Sequence, residues 1–457
     1  MVTQLSNHDA TEPRSSPDGP GPVGQPGPAD AHGGHRAGAA GALDPLLKAL
    51  LGSDIPVRFE FWDGSGSGPV DGIGTIRVRS VDAVRRILWA PGELGVARSF
   101  VSGDLSVEGD IYQLLRVLHG AARGDLRSVG IRALPAAFEA ARRLGVIGPP
   151  LPAPAEECRP GGRLHSLSRD AEVISHHYDV GNDFYRLVLG PSMTYSCARF
   201  VTAETSLEEA QAAKHELICH KLGLDRKPGS RLLDVGCGWG SMAMHAARHH
   251  RATVVGVALS REQVDEARRR VAEAGLGDQV EIRLQDYREL HGERFDAISS
   301  IGMFEHVGTS RMSQYFETLR SLLGPEGRLL NHAISTPGGS VLGRRSFVGR
   351  YVFPDGELLD VAEVIRAMQR TGFEVRDVES LREHYSRTLH HWVANLEDHW
   401  DEAVALVGQP RANVWRLYMA ASANGFDDGG LAIHQVLGVV PGPDGRSGMP
   451  PTRRGWG

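Results

Sequence analysis

From about position 174 to 441 the chain alternates between short apolar runs and segments whose apolar residues recur at helical spacing. Runs at 231–235, 253–258, 280–284, 296–300, 328–332, 374–379 and 433–440 predict strands. Between them, 261–273, 311–323, 358–370 and 388–407 predict helices. Strands this apolar need cover on both faces. The pattern therefore predicts an α/β fold with a doubly wound, mainly parallel, Rossmann-like sheet. A ligand of such a sheet sits beyond the carboxyl ends of its strands.

The preceding part reads differently. Positions 57–62 and 74–79 alternate as strands around a Gly/Ser turn, 80–88 reads as a helix with a Ser80 cap, and 99–109 reads as a turn-rich connection. Residues 43–124 are thus expected to form a small α+β domain without chemistry of its own. A helix at 133–144 and a linker stiffened by Pro149, Pro150, Pro152 and Pro154 fill 125–170. Residues 1–42 and 442–457 are Gly/Pro-rich and poor in apolar surface, so they are expected to be disordered. The locally basic Arg159, Arg163 and Arg169 suit either anionic headgroups or a solvated linker, and His32 and His35 suit a solvated tail better than a metal.

Composition narrows the function. With 457 residues, 41% of them hydrophobic, the chain can bury a sizeable core. Its net charge of −6 gives no reason to expect nucleic acid. Cys158, Cys197, Cys219 and Cys237 show no metal-type spacing, so no metal is expected and a reducing cytoplasm fits. The start has no signal-peptide pattern and no apolar run is long enough to span a bilayer, so any membrane role is expected to be peripheral.

The stretch Arg231-Leu-Leu-Asp-Val-Gly-Cys-Gly-Trp-Gly240 carries the first chemical signal. A strand ends near Asp234, and Gly236, Gly238 and Gly240 let the backbone turn tightly and approach a ligand at the next helix N-terminus. Such turns serve dinucleotides, S-adenosylmethionine or plain packing. The G-x-G-x-G form, and the lack of an acid ending the second strand, move the reading from NAD toward S-adenosylmethionine. Ser260 and Gln263 could bond ribose hydroxyls, and Asp286 an adenine amine, although a surface turn explains Asp286 equally well.

Three further blocks are informative in combination: His177-Tyr-Asp-Val-Gly-Asn-Asp-Phe-Tyr185 with Met193-Thr-Tyr-Ser-Cys-Ala198, Ser300-Ile-Gly-Met-Phe-Glu-His-Val-Gly308, and Arg350-Tyr-Val-Phe-Pro-Asp-Gly356. With the glycine turn they resemble the cyclopropane-fatty-acyl-phospholipid synthase family, which includes the mycolic acid cyclopropane synthases. The resemblance spans roughly 57–440. It implies a methyltransferase domain at 171–441 that moves a methyl from S-adenosylmethionine to the cis double bond of an acyl chain. A bound bicarbonate would then remove a proton so that the cyclopropane closes. Cys197, Glu305, His332, Ile334 and Tyr385 match the positions that cradle the bicarbonate. Tyr195, Ser196, Asp234, Gly236, Gly238, Gly240, Ser260, Gln263 and Asp286 match the cofactor site. Taken singly, Cys197, His332 and Tyr385 could be ordinary core residues.

One departure stands out. Many members carry a late cysteine where this chain has Ser422, and serine is the poorer nucleophile at neutral pH. Two products remain open: a cyclopropane, or a methylene branch if the chain itself loses the proton. A soluble small-molecule substrate is the alternative to lipid. The resemblance implies a phospholipid bilayer surface as partner, a peripheral cytoplasmic location at the inner membrane face, and no nucleic acid, with a homodimer left open.

Overall fold

A computed structural model describes residues 38–122, 126–158, 169, 180–341, 343, 346–354 and 356–454. The leading part forms a four-stranded sheet ordered β2-β1-β3-β4 from β1 (Arg58–Phe61), β2 (Gly66–Ser67), β3 (Gly74–Val78) and β4 (Leu105–Gly109). Against it pack α1 (Ala39–Leu51), α2 (Val81–Trp89), α3 (Glu93–Val101), α4 (Ile111–Ala122) and α5 (Leu126–Arg143). Phe59, Phe61, Ile76 and Val78 bury the alternating positions of β1 and β3, as their period predicts. The Ser80 hydroxyl caps α2 by accepting the Asp82 amide.

Two expectations shift here. Residues 99–109 are not a connection: they close α3 and supply β4, which pairs antiparallel with β3. Helix α1 begins at Ala39, inside the stretch expected to be disordered, because Ala39, Ala40 and Leu43 are buried. Asp63 Oδ2 accepts the Ala39 amide at 2.6 Å and Ser65 Oγ the Ala40 amide at 2.9 Å, so the helix start has acceptors. His32, His35, Arg159, Arg163 and 170–179 lie outside the described residues.

The larger part is a seven-stranded sheet ordered β12-β13-β9-β8-β5-β6-β7. Its strands are β5 (Arg231–Val235), β6 (Thr253–Ala258), β7 (Val280–Leu284), β8 (Phe295–Ile301), β9 (Leu323–Ser335), β12 (Glu374–Ser380) and β13 (Ala432–Val439). The five from β9 to β7 are parallel, while β13 runs antiparallel to both β9 and β12. A small β10–β11 pair (Ser340–Val341, Glu357–Leu358) stands apart. The helices are α6 (Asn182–Leu189), α7 (Leu207–Leu222), α8 (Ser241–His250), α9 (Arg261–Glu273), α10 (Met312–Ser321), α11 (Phe347–Tyr351), α12 (Val361–Arg370), α13 (Arg382–Asp398), α14 (Trp400–Val407) and α15 (Gln409–Asp427). The single helix expected over 388–407 starts earlier and breaks at His399 into α13 and α14.

The two parts share a core. Leu94, Ala97, Val101 and Ile111 of the leading part pack in one cluster with Phe184, Trp392, Trp415 and Met419. Asn413 and Asn424 of α15 donate side-chain bonds to the carbonyls of Phe100 and Tyr112, each at 3.0 Å. The tail past 441 also docks instead of trailing free: Gly448 accepts a bond from Arg328 at 2.8 Å, Met449 packs on the core, and Arg453 pairs with buried Asp377. Among the described residues no helix is long and apolar enough to cross a membrane.

Candidate active site

Beyond Val235 the chain turns through Gly236 and Gly238, whose φ of +74° and +53° only glycine adopts without strain. A Cβ on Gly236 would come within 3.0 Å of Met303, whereas one on Gly238 would meet nothing nearer than Gln263 Nε2 at 3.9 Å. Gly238 therefore faces open space. That space is a cavity of about 1250 Å³, mouth included, at the carboxyl ends of β5, β6, β7 and β8. Tyr195, Ser196, Asp234, Gly236, Gly238, Gln263 and Asp286 all line it. Gly240 and Ser260 do not line it. Ser260 caps α9 by accepting the Gln263 amide at 3.3 Å, and so positions a residue that does.

The charged groups in this cavity are unequal. Asp234 Oδ1 accepts the Ser299 hydroxyl at 2.7 Å while Oδ2 has no bonded partner among the described residues. Burial pushes its carboxyl up to about 6, against the pull of Ser299 and Lys214. Asp286 is already paired, since Arg288 reaches its two oxygens at 2.9 and 2.7 Å. Lys214 of α7 was not anticipated. It is fully buried on the cavity wall, bonded to Ser196 Oγ at 2.9 Å, and burial lowers it to about 7.

A second constellation lies beside the cavity. Glu305, two residues past the cavity-lining Met303, accepts the Ile334 amide through Oε1 at 2.7 Å. Its Oε2 is buried with no bonded partner among the described residues, and burial pushes the carboxyl up to about 7. His332 and Ile334 stand on the same face of β9. The Gln435 amide donates to His332 Nδ1 at 3.1 Å, which places the imidazole proton on Nε2, itself buried and unpartnered. Burial depresses the imidazole, which is therefore neutral.

Cys197 and Tyr385 come from other elements. The Cys197 thiol is 3.2 Å from the Ala198 carbonyl and 3.6 Å from that of Leu381, at the start of the helix that carries Tyr385. Burial pushes it far up, so it is a thiol. Aromatic rings wall the region: Tyr195 against Trp392 at 5.3 Å, Tyr385 against Phe426 at 4.7 Å, and Trp415 against Tyr418 at 5.9 Å. The Tyr418 hydroxyl accepts from the Tyr195 hydroxyl at 3.4 Å, and Ser422 stands one helical turn further along α15.

The family description "Mycolic acid cyclopropane synthetase" matches residues 165–436. The chain belongs to that family. It is 44% identical over 407 residues, 86% of this chain and 93% of the other, to a probable fatty acid methyltransferase of Mycobacterium tuberculosis. It is 33% identical over 376 residues, 82% and 88% of the two chains, to the cyclopropane-fatty-acyl-phospholipid synthase of Escherichia coli. The crystal structure of mycolic acid cyclopropane synthase CmaA1 complexed with SAH and CTAB superposes with a TM-score of 0.55 at 33% identity, covering 59% of this chain and 98% of that one. The protein is thus an S-adenosylmethionine-dependent methyltransferase of the cyclopropane synthase type, modifying lipid acyl chains. Its cavity fits the cofactor: glycine backbone open at Gly238, a buried unpartnered oxygen on Asp234, and polar groups from Ser196 and Gln263.

Proposed function

We infer that this synthase acts on the cis double bond of unsaturated acyl chains in phospholipids at a bilayer surface, and that its product is a cyclopropane. The observation that carries the reading is the two buried polar atoms without partners among the described residues, Glu305 Oε2 and His332 Nε2, on groups that interact electrostatically with Tyr418 of the aromatic wall and with cavity-lining Lys214 respectively. The phospholipid rests on the likeness to the Escherichia coli enzyme.

When bound at Gly236, Gly238, Asp234 and Gln263, S-adenosylmethionine supplies an electrophilic methyl group. An alkene that accepts it becomes a carbocation, which must be kept from water until a proton leaves. The rings of Tyr195, Trp392, Trp415 and Tyr418 exclude water and present electron-rich faces that suit a cation. Glu305, His332, Tyr385, Cys197 and Ile334 would hold a bicarbonate, which would supply the proton acceptor. His332 offers an Nε2–H donor, and a carboxyl near 7 retains protons at neutral pH, so Glu305 can donate to an anion instead of repelling it. The Ile334 amide already serves Glu305 Oε1, so it joins the anion only if Glu305 lets go.

A methylene-branched product is the second reading, favoured by Ser422. It stands one helical turn from Tyr418, where many members carry cysteine. Incubating the enzyme with S-adenosylmethionine and dioleoyl phospholipid vesicles, with and without bicarbonate, tests both. Upfield ring protons in the product NMR support the cyclopropane, olefinic methylene protons the branch. Turnover indifferent to bicarbonate would remove the proposed base.

A further inference from the structure

Further along α7 and α8, away from the cavity lining, a group of side chains comes together that the methyl transfer does not use. The Cys219 thiol and one ring nitrogen each of His245 and His250 all lie within 4.8 Å of one another. Glu216 closes the group. Its Oε2 contacts His245 Nε2 at 2.9 Å and His250 Nε2 at 3.1 Å, while Oε1 contacts His220 Nε2 at 2.7 Å. Cys219 and His250 are buried, and the Glu216 side chain, 43% exposed, opens the group to solvent.

We propose that Cys219, His245, His250 and Glu216 form a structural site for a zinc-class divalent cation that fastens α8 to α7. One soft thiolate, two imidazoles and one carboxylate make a mixed S/N/O set of four, the number a tetrahedral zinc site takes. Metal–nitrogen bonds of about 2.0–2.1 Å and a metal–sulfur bond of about 2.3 Å require donors spaced by about 3.3–3.6 Å. The carboxylate–imidazole spacings are already close to that range. Closing spacings of at most 4.8 Å to that range asks the Cys219, His245 and His250 donors to approach by about 1.5 Å at most, with the exposed Glu216 side chain swinging in to complete the set. On binding, the Cys219 proton is lost to solvent and the carboxylate–imidazole hydrogen bonds give way to metal bonds. His220 keeps its bond to the outer Glu216 oxygen and orients it, as outer-sphere partners of metal ligands do. Sequence spacing conceals the set, since two ligands sit one helical turn apart on α7 and two lie at the middle and the end of α8. The position has a structural consequence: α8 starts directly after Gly240, so a cation at His250 anchors the far end of the helix whose near end carries the cofactor turn.

The test uses the full-length, tag-free chain stripped of metal. Titration with Zn²⁺ should show one equivalent bound per chain. Co²⁺ should give thiolate-to-metal charge-transfer absorption together with the visible bands of a tetrahedral ion. Zinc at about 100 times its dissociation constant should shift the unfolding equilibrium about 100-fold toward the folded state. Cys219→Ser and His245→Gln should each weaken binding by at least about 10-fold and abolish the thermal shift, whereas His32→Gln/His35→Gln should leave both intact. Absence of the thiolate band in the unsubstituted chain would overturn the site whatever the variants do. So would stoichiometric binding that survives Cys219→Ser combined with His245→Gln, or that disappears with the tail histidines.

Discussion

Replacing Glu305 by Gln separates what this carboxyl costs the fold from what it gives the reaction. Burial raises it from 4.5 to about 7. Below 4.5 it is protonated in folded and unfolded chains alike, and its neutral form costs far less to bury than its charged one. As pH rises toward 7 the unfolded chain releases the proton while the native chain retains it, so native stability is progressively lost; above 7 the loss is complete. At about 1.4 kcal/mol per tenfold change in proton affinity, the rise corresponds to about 3 kcal/mol in all. Roughly 2–3 kcal/mol of this falls between about pH 5 and pH 8. Glutamine keeps an acceptor for the Ile334 amide but cannot ionise. In urea unfolding, the variant should therefore lose about 2–3 kcal/mol less than the parent between those pH values. Its turnover should fall about 100- to 10,000-fold with cofactor affinity nearly unchanged. The same pH slope in both proteins would refute the buried-carboxyl argument, and turnover within about threefold of the parent would take Glu305 out of the mechanism.

Other substitutions probe neighbouring parts. Gly238→Val should abolish cofactor binding in a protein that still folds, because a branched side chain would fill open cavity from a backbone at φ +53°; calorimetry showing unchanged affinity would count against the turn. Ser422→Ala should retain most activity, since the proposed route needs no nucleophile there; Ser422→Cys should be tolerated as well. Cys197→Leu should lose most activity because a branched side chain overfills a site with no exposed surface, whereas Cys197→Ser should keep part of it. A dead Ser422→Ala beside an active Cys197→Leu would displace the proposed proton-accepting site. Lys214→Met should weaken cofactor binding measurably, as it removes the Ser196 Oγ partner on the cavity wall; equal affinity would make Lys214 a packing residue only.

Much of the large sheet was legible because its central strands are apolar on both faces and its edge strand β7 alternates. The sequence ranges at 231–235, 253–258, 280–284 and the helix at 261–273 coincide with β5, β6, β7 and α9. What escaped has physical reasons. Helix α7 carries a capping box at Ser206 and Glu209, yet its buried face holds Gln211, Lys214 and His215, so no apolar stripe announces it. Helix α15 is enclosed between α13 and the leading part and buries residues nearly all round, which blurs its period. The antiparallel β13 reads like any buried strand, and its orientation follows from topology alone. At the site, the glycine turn and the Glu305 and His332 motifs were readable locally. Lys214, the Gln435 bond that sets the His332 tautomer, and the Tyr195–Tyr418 contact arise from elements distant in sequence, so only the folded chain brings them to the site.

The central claim is that methyl groups pass from S-adenosylmethionine to unsaturated acyl chains of phospholipids in a bilayer. It is tested most directly by mass spectrometry of dioleoyl phospholipid vesicles incubated with the enzyme and methyl-labelled cofactor. The product should be lipid heavier by one labelled CH2 per modified chain, formed from oleoyl and absent from saturated vesicles. Label confined to a soluble acceptor, or no lipid product from an enzyme that binds the cofactor, would contradict it.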